Sequence, residues 1–459
     1  MTRGIRRAGC LLIALIILPA AAFAGTIDNL IDLLTRPADH AVAMEISAEV
    51  IRLPEMGEER TEWLNRLLSH IIFRTREYGE IREEIIEIDG IPGFGCVSRR
   101  GENDTLWQFT FDQTAAYSLP DGTDMIASLA GTDPDLSRLD YYSDTAVLLS
   151  GFYRFFEGLP SVFPEACTLS KVNNHYKPYG TAVKKWSITL TEDVLQSEKM
   201  IAYLDGEGME DVKEYLSHVV LSGRQRLTLL MDEDDHLMKV NYTARAGLSP
   251  DDLRNVNLDW RCFRRSEGYR DVLQLTTPGS GRKDNLSITQ EMVIDEEGNE
   301  DYTGTVETDQ VADRVRTRTV LTFHLKASGS TVTGEILEKK STPGKTESTA
   351  VTVSLEQNTQ DEYRGSLEII CNLDKIEKEH FRISLIAGRS EPPKWNDAPV
   401  RQMTETARKA VAEKAAQTLL SALAHVPEED LQYILADLPA GLWAEMTRKT
   451  EIPEETEKP

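Results

Sequence analysis

The chain has 459 residues, of which 51 are Lys or Arg and 76 are Asp or Glu, so its formal net charge is −25 at pH 7. A surface this acidic repels nucleic acid and anionic lipid and favours solubility, and we therefore exclude nucleic-acid binding. The length exceeds that of one ordinary hydrophobic core, and two or three modules are expected.

Residues 1–24 have the three parts of a cleavable secretory signal. Three arginines come first, an apolar run from Cys10 to Pro19 follows, and Ala22-Phe23-Ala24 supplies the small residues of a cleavage site. The apolar run is shorter than the roughly 20 residues of a membrane-spanning helix. We predict Sec-type export with cleavage after Ala24, which takes the net charge to −28 because three arginines and no acids are removed. The mature protein is then secreted or extracytoplasmic, with no integral membrane segment.

Residues 25–180 are predicted to form an N-terminal α+β domain. It opens with a short amphipathic helix, TIDNLIDLLTR, and an alternating strand, AVAMEISAEVIRL. The apolar residues of RTEWLNRLLSHIIF recur at helical spacing. EIREEIIEID and TLWQFTFDQTAAYSL are typical of strands, and the Gly-rich segment GIPGFGCVSRRGEND lies between them.

Residues 181–390 are predicted to form an antiparallel β-rich domain with leading helices. The strand KKWSITLT, two helices and the hairpin RQRLTLLMDEDDHLMKVNYTARA repeat the element order of the first domain, so two similar α+β halves are one expectation. From Leu253 to Gly388, alternating segments separated by turn residues predict a long antiparallel meander. One face of that sheet is apolar and the other polar.

Helices are needed to cover the apolar face. The aromatic helix TAVLLSGFYRFFEGL is one candidate, and a C-terminal helical segment at residues 391–445 is the other. That segment follows a Pro-rich linker and carries a narrow stripe of mostly small residues suited to close packing. Residues 446–459 are predicted to be a disordered acidic tail. The predicted fold class is therefore α+β, with large antiparallel meander sheets packed against helices.

No residue pattern of high specificity points to catalysis, a cofactor or a metal. The eight histidines have no metal-ligand spacing, and two acidic turns, MDEDDHL and IDEEGNED, do not match an EF-hand. Four cysteines remain after cleavage and permit two disulfides or buried free thiols. They are Cys96, Cys167, Cys262 and Cys371.

A basic stripe stands out on this acidic chain. Alternation places Arg314, Arg316 and Arg318 on the polar face of the strand that continues through RTVLTFHLKA. Cross-strand acidic residues from TVETDQ or GEILEKK would neutralise this stripe. The alternative is an anion or a carboxylate-bearing ligand bound to the three arginines.

The order of elements from residue 180 to 390 resembles that of the LolA/LppX-like carriers of lipoproteins and lipids. This resemblance implies an open antiparallel sheet wrapped around helices. We predict a non-enzymatic binding or envelope-associated protein that holds an apolar small molecule or an envelope component between sheet and helices. The residues predicted to line that space are Phe152, Phe155, Phe156, Leu321, Phe323 and Leu325.

Two other functions stay open. One is a secreted hydrolase acting on cell-wall or polymeric substrate, with His218, His236 and the acidic residues 232–235 meeting in a cleft. The other is a structural or partner-binding exported protein.

Overall fold

The structure is a computed structural model that describes most of the chain between residues 40 and 431. The described ranges are 40–101, 104–120, 151–177, 179–217, 219–223, 225–247, 253–265, 267–278, 282–312, 315–359 and 362–431. The predicted signal peptide, the first helix and the acidic tail lie outside these ranges, as do Arg314 and His218. The chain divides into two compact units. Unit 1 comprises Met1–Ile31, Tyr141–Val353 and Ile370–Glu377, and unit 2 comprises Asp32–Asp140, Ser354–Ile369 and Lys378–Pro459.

Unit 2 combines antiparallel strands with two helices. Its elements are β1 (Val42–Arg52), α1 (Glu58–Ser69), β2 (Ile71–Tyr78), β3 (Ile81–Ile88), β4 (Ile91–Arg100), β5 (Asp104–Phe109), β6 (Asp112–Pro120), most of β20 (Ile376–Arg389), β21 (Val400–Gln402) and α6 (Glu405–Leu423). β1 pairs with β2 on one side and β20 on the other. β2 to β6 continue as an antiparallel meander, and β21 is parallel to β6.

Helix α6 begins at a capped N-terminus and packs on β4. The Thr404 hydroxyl accepts a hydrogen bond from the Ala407 amide at 3.2 Å, which satisfies one of the free N–H groups of the first turn. The helix approaches β4 closely at Gly93, where a Cβ atom would lie 3.2 Å from Leu419 and 3.3 Å from Ala422. The predicted small-residue stripe thus packs on a sheet. Val411 joins a core with aromatic residues of β4, β5 and β6.

Unit 1 consists of a second meander preceded and interrupted by helices. Its elements are α2 (including 151–162), β7 (Cys167–Tyr176), β8 (Gly180–Leu190), α3 (Glu192–Leu195), α4 (Glu198–Gly206), α5 (Glu210–Ser217), β9 (Val220–Leu221), β10 (Gln225–Met231), β11 (Leu237–Gly247), β12 (Arg254–Arg265), β13 (Gly268–Pro278), β14 (Arg282–Ile294), β15 (Glu300–Ala312), β16 (Val315–Ser328) and β17 (Thr331–Thr342). β18 (Lys345–Thr359) and β19 (Glu362–Leu373) contain residues of both units. The strands pair antiparallel in the order β7, β8, β10, β11, and then consecutively to β17.

The core of unit 1 lies between its helices and one face of its sheet. Helix α2 supplies Phe155, Phe156 and Leu159, and α4 and α5 add Met200, Leu204, Val212 and Leu216. The strands contribute Leu227, Leu229, Val240, Trp260, Leu273 and Ile288. Burial of each large apolar side chain contributes about 1.5–3 kcal/mol to folding, so this layer is a main source of stability for the unit.

The predicted α+β class, with its two similar α+β halves, is wrong. The described residues form 21 strands, and the fold is dominated by sheet. Helical spacing ends at Ser69, and Ile71 and Ile72, both β-branched, already belong to β2. The Gly-rich segment that was placed between two predicted strands contains a strand of its own, β4, where Gly93 permits the close approach of α6. The predicted meander between Leu253 and Gly388 is confirmed as β12 to β20. In the described part of the chain, no helix is both long and apolar enough to span a membrane.

Candidate functional site

The solvent-side face of the unit 1 sheet carries two adjacent rows of polar side chains. Asn241, Asp259, Gln274, Ser287 and Glu307 lie opposite one another on five consecutive strands, from β11 to β15. The next row contains Asn257, Thr276, Asn285, Asp309 and Arg318, from β12 to β16. These residues share a face because side chains two positions apart in a strand point the same way.

Three of these strands form a groove of about 330 Å³. It is lined by Gln274, Thr276, Asn285, Leu286, Ser287, Glu307 and Asp309. Six of the seven lining residues have polar side chains, and these supply amide, hydroxyl and carboxylate groups. The volume lies at the lower end of the range for small-molecule sites, but the lining is much more polar than is usual for such sites.

Both carboxylates of the groove are held by arginines of β16. Arg318 donates two hydrogen bonds to Glu307, at 2.7 and 2.9 Å, and Arg316 donates two to Asp309, at 2.7 and 2.8 Å. Hydrogen bonding to Glu307 raises the pKa of Arg318, and hydrogen bonding to Asp309 raises that of Arg316. The charges in and beside the groove therefore balance, as cross-strand neutralisation predicted. An anion-binding role for the three arginines stays a prediction.

The first polar row continues into a second charged cluster at Asp259. Its carboxylate contacts Lys239 at 2.6 Å and accepts a hydrogen bond from Asn241 at 2.9 Å, while Arg261 lies 3.6 Å away. Burial opposes ionisation of Asp259, but the hydrogen bonds from Lys239 and Asn241 outweigh it and lower the pKa. This end of the row is thus also a network of paired charges.

One groove residue has an unsatisfied polar atom. Asn285 Oδ1 is buried and has no hydrogen-bond partner among the described residues. A buried acceptor without a donor costs about 1–3 kcal/mol. Asn285 also lines the groove, so its side chain lies beside the space where a ligand would bind.

The predicted aromatic residues of α2 fill the core. The ring centroids of Phe152, Phe155 and Phe156 lie 5.2–6.0 Å from one another, and Phe156 is 6.4 Å from Trp260. Phe155 and Phe156 are buried, and Phe152 packs against the same cluster. The three residues lie together, and their rings contact each other and Trp260 of the sheet.

The other predicted lining residues lie elsewhere on the same face. Leu321, Phe323 and Leu325 are buried on β16. Leu321 lies in the same cross-strand row as Trp260, but four strands away from it. Phe323 packs on Tyr302 with ring centroids 4.9 Å apart. The two predicted triplets therefore occupy separate parts of unit 1. Their role as ligand-binding residues stays a prediction.

A buried ion pair lies beneath α2 and was missed in the sequence. Asp271, which is 3% exposed, accepts two hydrogen bonds from Arg264, at 3.0 and 3.1 Å. It accepts two more, from Trp260 at 3.2 Å and Gln290 at 2.9 Å. Burial lowers the pKa of Arg264, but Asp271 more than compensates and raises it. The available signal was an acidic residue at an apolar position of the alternating strand YRDVLQL.

Of the residues proposed for a hydrolase, His218 lies outside the described ranges, and residues 232–236 form a mostly exposed hairpin tip. Ligand atoms of Asp232, Asp234 and His236 lie within 4.8 Å of one another. However, one carboxylate oxygen of Asp232 already accepts hydrogen bonds from the backbone N–H groups of Asp234 and His236, at 3.0 and 2.9 Å. This geometry is that of a turn closed by its own side chain. The four cysteines Cys96, Cys167, Cys262 and Cys371 form no disulfide with one another.

Comparisons with known proteins assign no family to the chain. No protein-family model matches it, and no curated protein does. Among solved structures, it is similar to outer-membrane OmpT of Vibrio cholerae, with 7% identity, 76% of this chain and 95% of that chain covered, and a TM-score of 0.22. A BenF-like porin from Pseudomonas fluorescens Pf-5 has 8% identity, coverages of 69% and 76%, and a TM-score of 0.20. The CymD monoaromatic hydrocarbon channel has 9% identity, coverages of 79% and 93%, and a TM-score of 0.17.

The prediction of no integral membrane segment is not kept, because it rested only on the lack of a helix-length apolar run. At these TM-scores the likenesses assign neither a fold nor a function to this chain. The resemblance to LolA/LppX-like carriers stays a prediction.

Proposed function

We propose that this chain is an exported, non-enzymatic binding protein associated with the bacterial cell envelope, and that the groove on β13, β14 and β15 holds a hydrophilic ligand. The signal-like residues 1–24 and the strong negative charge support export. The groove observation carries the proposal, because polar groups converge there while the opposite face of the sheet is occupied by helices.

Packing in unit 1 argues against an apolar ligand between its sheet and helices. Phe155 is 2% exposed and Leu159 is fully buried, and both belong to one core cluster with residues of the strands. An apolar ligand would have to displace these side chains, since protein interiors have few voids larger than a water molecule. Native mass spectrometry of the purified mature protein should therefore find no retained lipid.

Binding to envelope material tests the proposed groove. The mature protein should sediment with insoluble bacterial envelope material, and the double variant Gln274→Ala/Ser287→Ala should lose most of this binding. Thr333→Ala, on an exposed position of β17 outside both polar rows, is the matched control and should bind like the wild type. Equal sedimentation of the folded double variant and the wild type would contradict the proposal, as would release of soluble fragments by the protein.

A further inference from the structure

We infer that the ligand of the groove is an uncharged saccharide chain, an inference that rests on the proposed function. Charge complementarity comes first. Glu307 and Asp309 are each paired with an arginine through two hydrogen bonds. A cationic ligand would have to compete with Arg318 and Arg316, and an anionic ligand with the two carboxylates. A neutral ligand disturbs neither pair.

Hydrogen-bonding capacity is the second argument. Each carboxylate oxygen has two acceptor sites, and the two N–H groups of Arg318 use only one site on each oxygen of Glu307, so Glu307 can accept further hydrogen bonds. The amide groups of Gln274 and Asn285 both donate and accept, as do the hydroxyls of Thr276 and Ser287. A sugar hydroxyl donates and accepts as well, so it can pair with every polar group that lines the groove.

The unsatisfied Asn285 Oδ1 points to a donor supplied from outside the described residues. A ligand hydroxyl would provide that donor. An apolar ligand would leave Asn285 Oδ1 unpaired and would strip water from the other polar groups, which is unfavourable.

The polar row also has the length of a chain rather than of a single ring. Asn241, Asp259, Gln274, Ser287 and Glu307 span five strands. Neighbouring strands lie about 4.8 Å apart, so the row extends for about 19 Å across the sheet. A saccharide chain lying across the strands would meet hydrogen-bonding groups at each step, starting at Glu307 in the groove and ending at Asn241.

Calorimetric titration tests the inference with three probes: a neutral glucan oligosaccharide, a uronic-acid oligosaccharide and an oligolysine peptide. We expect the neutral probe alone to bind. Its affinity should be equal in about 0.1 M and about 1 M salt, where the screening length falls from about 10 to about 3 Å. Gln274→Ala/Ser287→Ala should weaken binding at least about tenfold, with an unchanged melting temperature, and Thr333→Ala should have no effect.

The outcomes distinguish failure of the saccharide inference from failure of the proposed function. If a charged probe binds, and the double variant removes that binding, the saccharide inference is overturned and the groove function stands. If the neutral probe binds equally well to the folded double variant, the groove is not its site, and the inference is overturned. If no probe binds at about 1 mM, a concentration suited to weak affinities, and envelope binding is also absent, both proposals fail.

Discussion

Arg264 and Asp271 face each other across β12 and β13 through two parallel hydrogen bonds, inside a core that is otherwise mostly apolar. The guanidinium also lies 4.8 Å from the ring centroid of Tyr153 on α2 and 5.1 Å from that of Tyr269 on β13. The pair therefore links the aromatic helix to the sheet at one position. Such a contact favours a single register of helix and strands over neighbouring ones.

Removing one member of this pair should be strongly destabilising. Asp271→Ala leaves the Arg264 charge buried without its partner, and we expect a loss of about 3–5 kcal/mol in the free energy of unfolding, measured by urea denaturation. The double variant Arg264→Met/Asp271→Leu removes both charges and should recover most of that loss. A double variant no more stable than Asp271→Ala would show that the surrounding hydrogen bonds, rather than the isolated charge, dominate.

His70 should make the stability of unit 2 depend on pH. Its imidazole contacts Asp89 at 2.9 Å and Asp430 at 3.2 Å, and the hydrogen bond to Asp89 is the largest of the effects that raise its pKa above 6.5. The stabilisation is complete below pH 6.5 and is lost as pH rises through the raised pKa. In His70→Gln this pH dependence should be absent. The pH-dependent change in the free energy of unfolding that is lost should be no more than about 1 kcal/mol, the usual range for a partly exposed pair. Thermal unfolding across that pH range is the measurement, and identical profiles for variant and wild type would contradict the assignment.

Gly93 should tolerate no large side chain. Its Cβ position is already in contact with Leu419 and Ala422 of α6, so Gly93→Val must push the helix away from β4. We expect a loss of about 1–3 kcal/mol, typical of overpacking. Gly206 at the end of α4 has open space at its Cβ position, and Gly206→Ala should be close to neutral. Denaturant unfolding of the two variants provides the comparison.

The charge balance of the groove can be shifted by one substitution. Glu307→Gln frees the Arg318 guanidinium from its carboxylate, and the groove should then bind a uronic-acid oligosaccharide with an affinity that falls as salt rises. Glu335→Gln makes the same change in net charge at an exposed position of β17 and should gain no binding. Equal behaviour of the two variants in calorimetry would mean that overall charge, and not the groove, controls the response.

The meander could be predicted well because apolar and polar residues alternate along its strands, and this alternation matches their burial in the structure. Leu321, Phe323 and Leu325 are buried, and their neighbours His324 and Lys326 are exposed. The strand β4 was not predicted, because its glycines are unfavourable in a strand and a helix more than 300 residues away requires the small size of Gly93. The groove could not be predicted from the sequence for a related reason. Gln274, Ser287 and Glu307 meet only because three strands adopt one register, and a shift by one residue would turn each side chain to the opposite face.

The order of elements in unit 1 has a consequence for biogenesis. Helix α2 emerges early during synthesis, but its partners Trp260 and Ile288 on β12 and β14 follow about a hundred residues later. In the export proposed above, the aromatic side of α2 is left without its sheet until most of the unit has crossed the membrane. Such exposed apolar surface on a nascent chain is prone to aggregation. The proposed export would thus require either fast hairpin formation behind the helix or a chaperone that shields it.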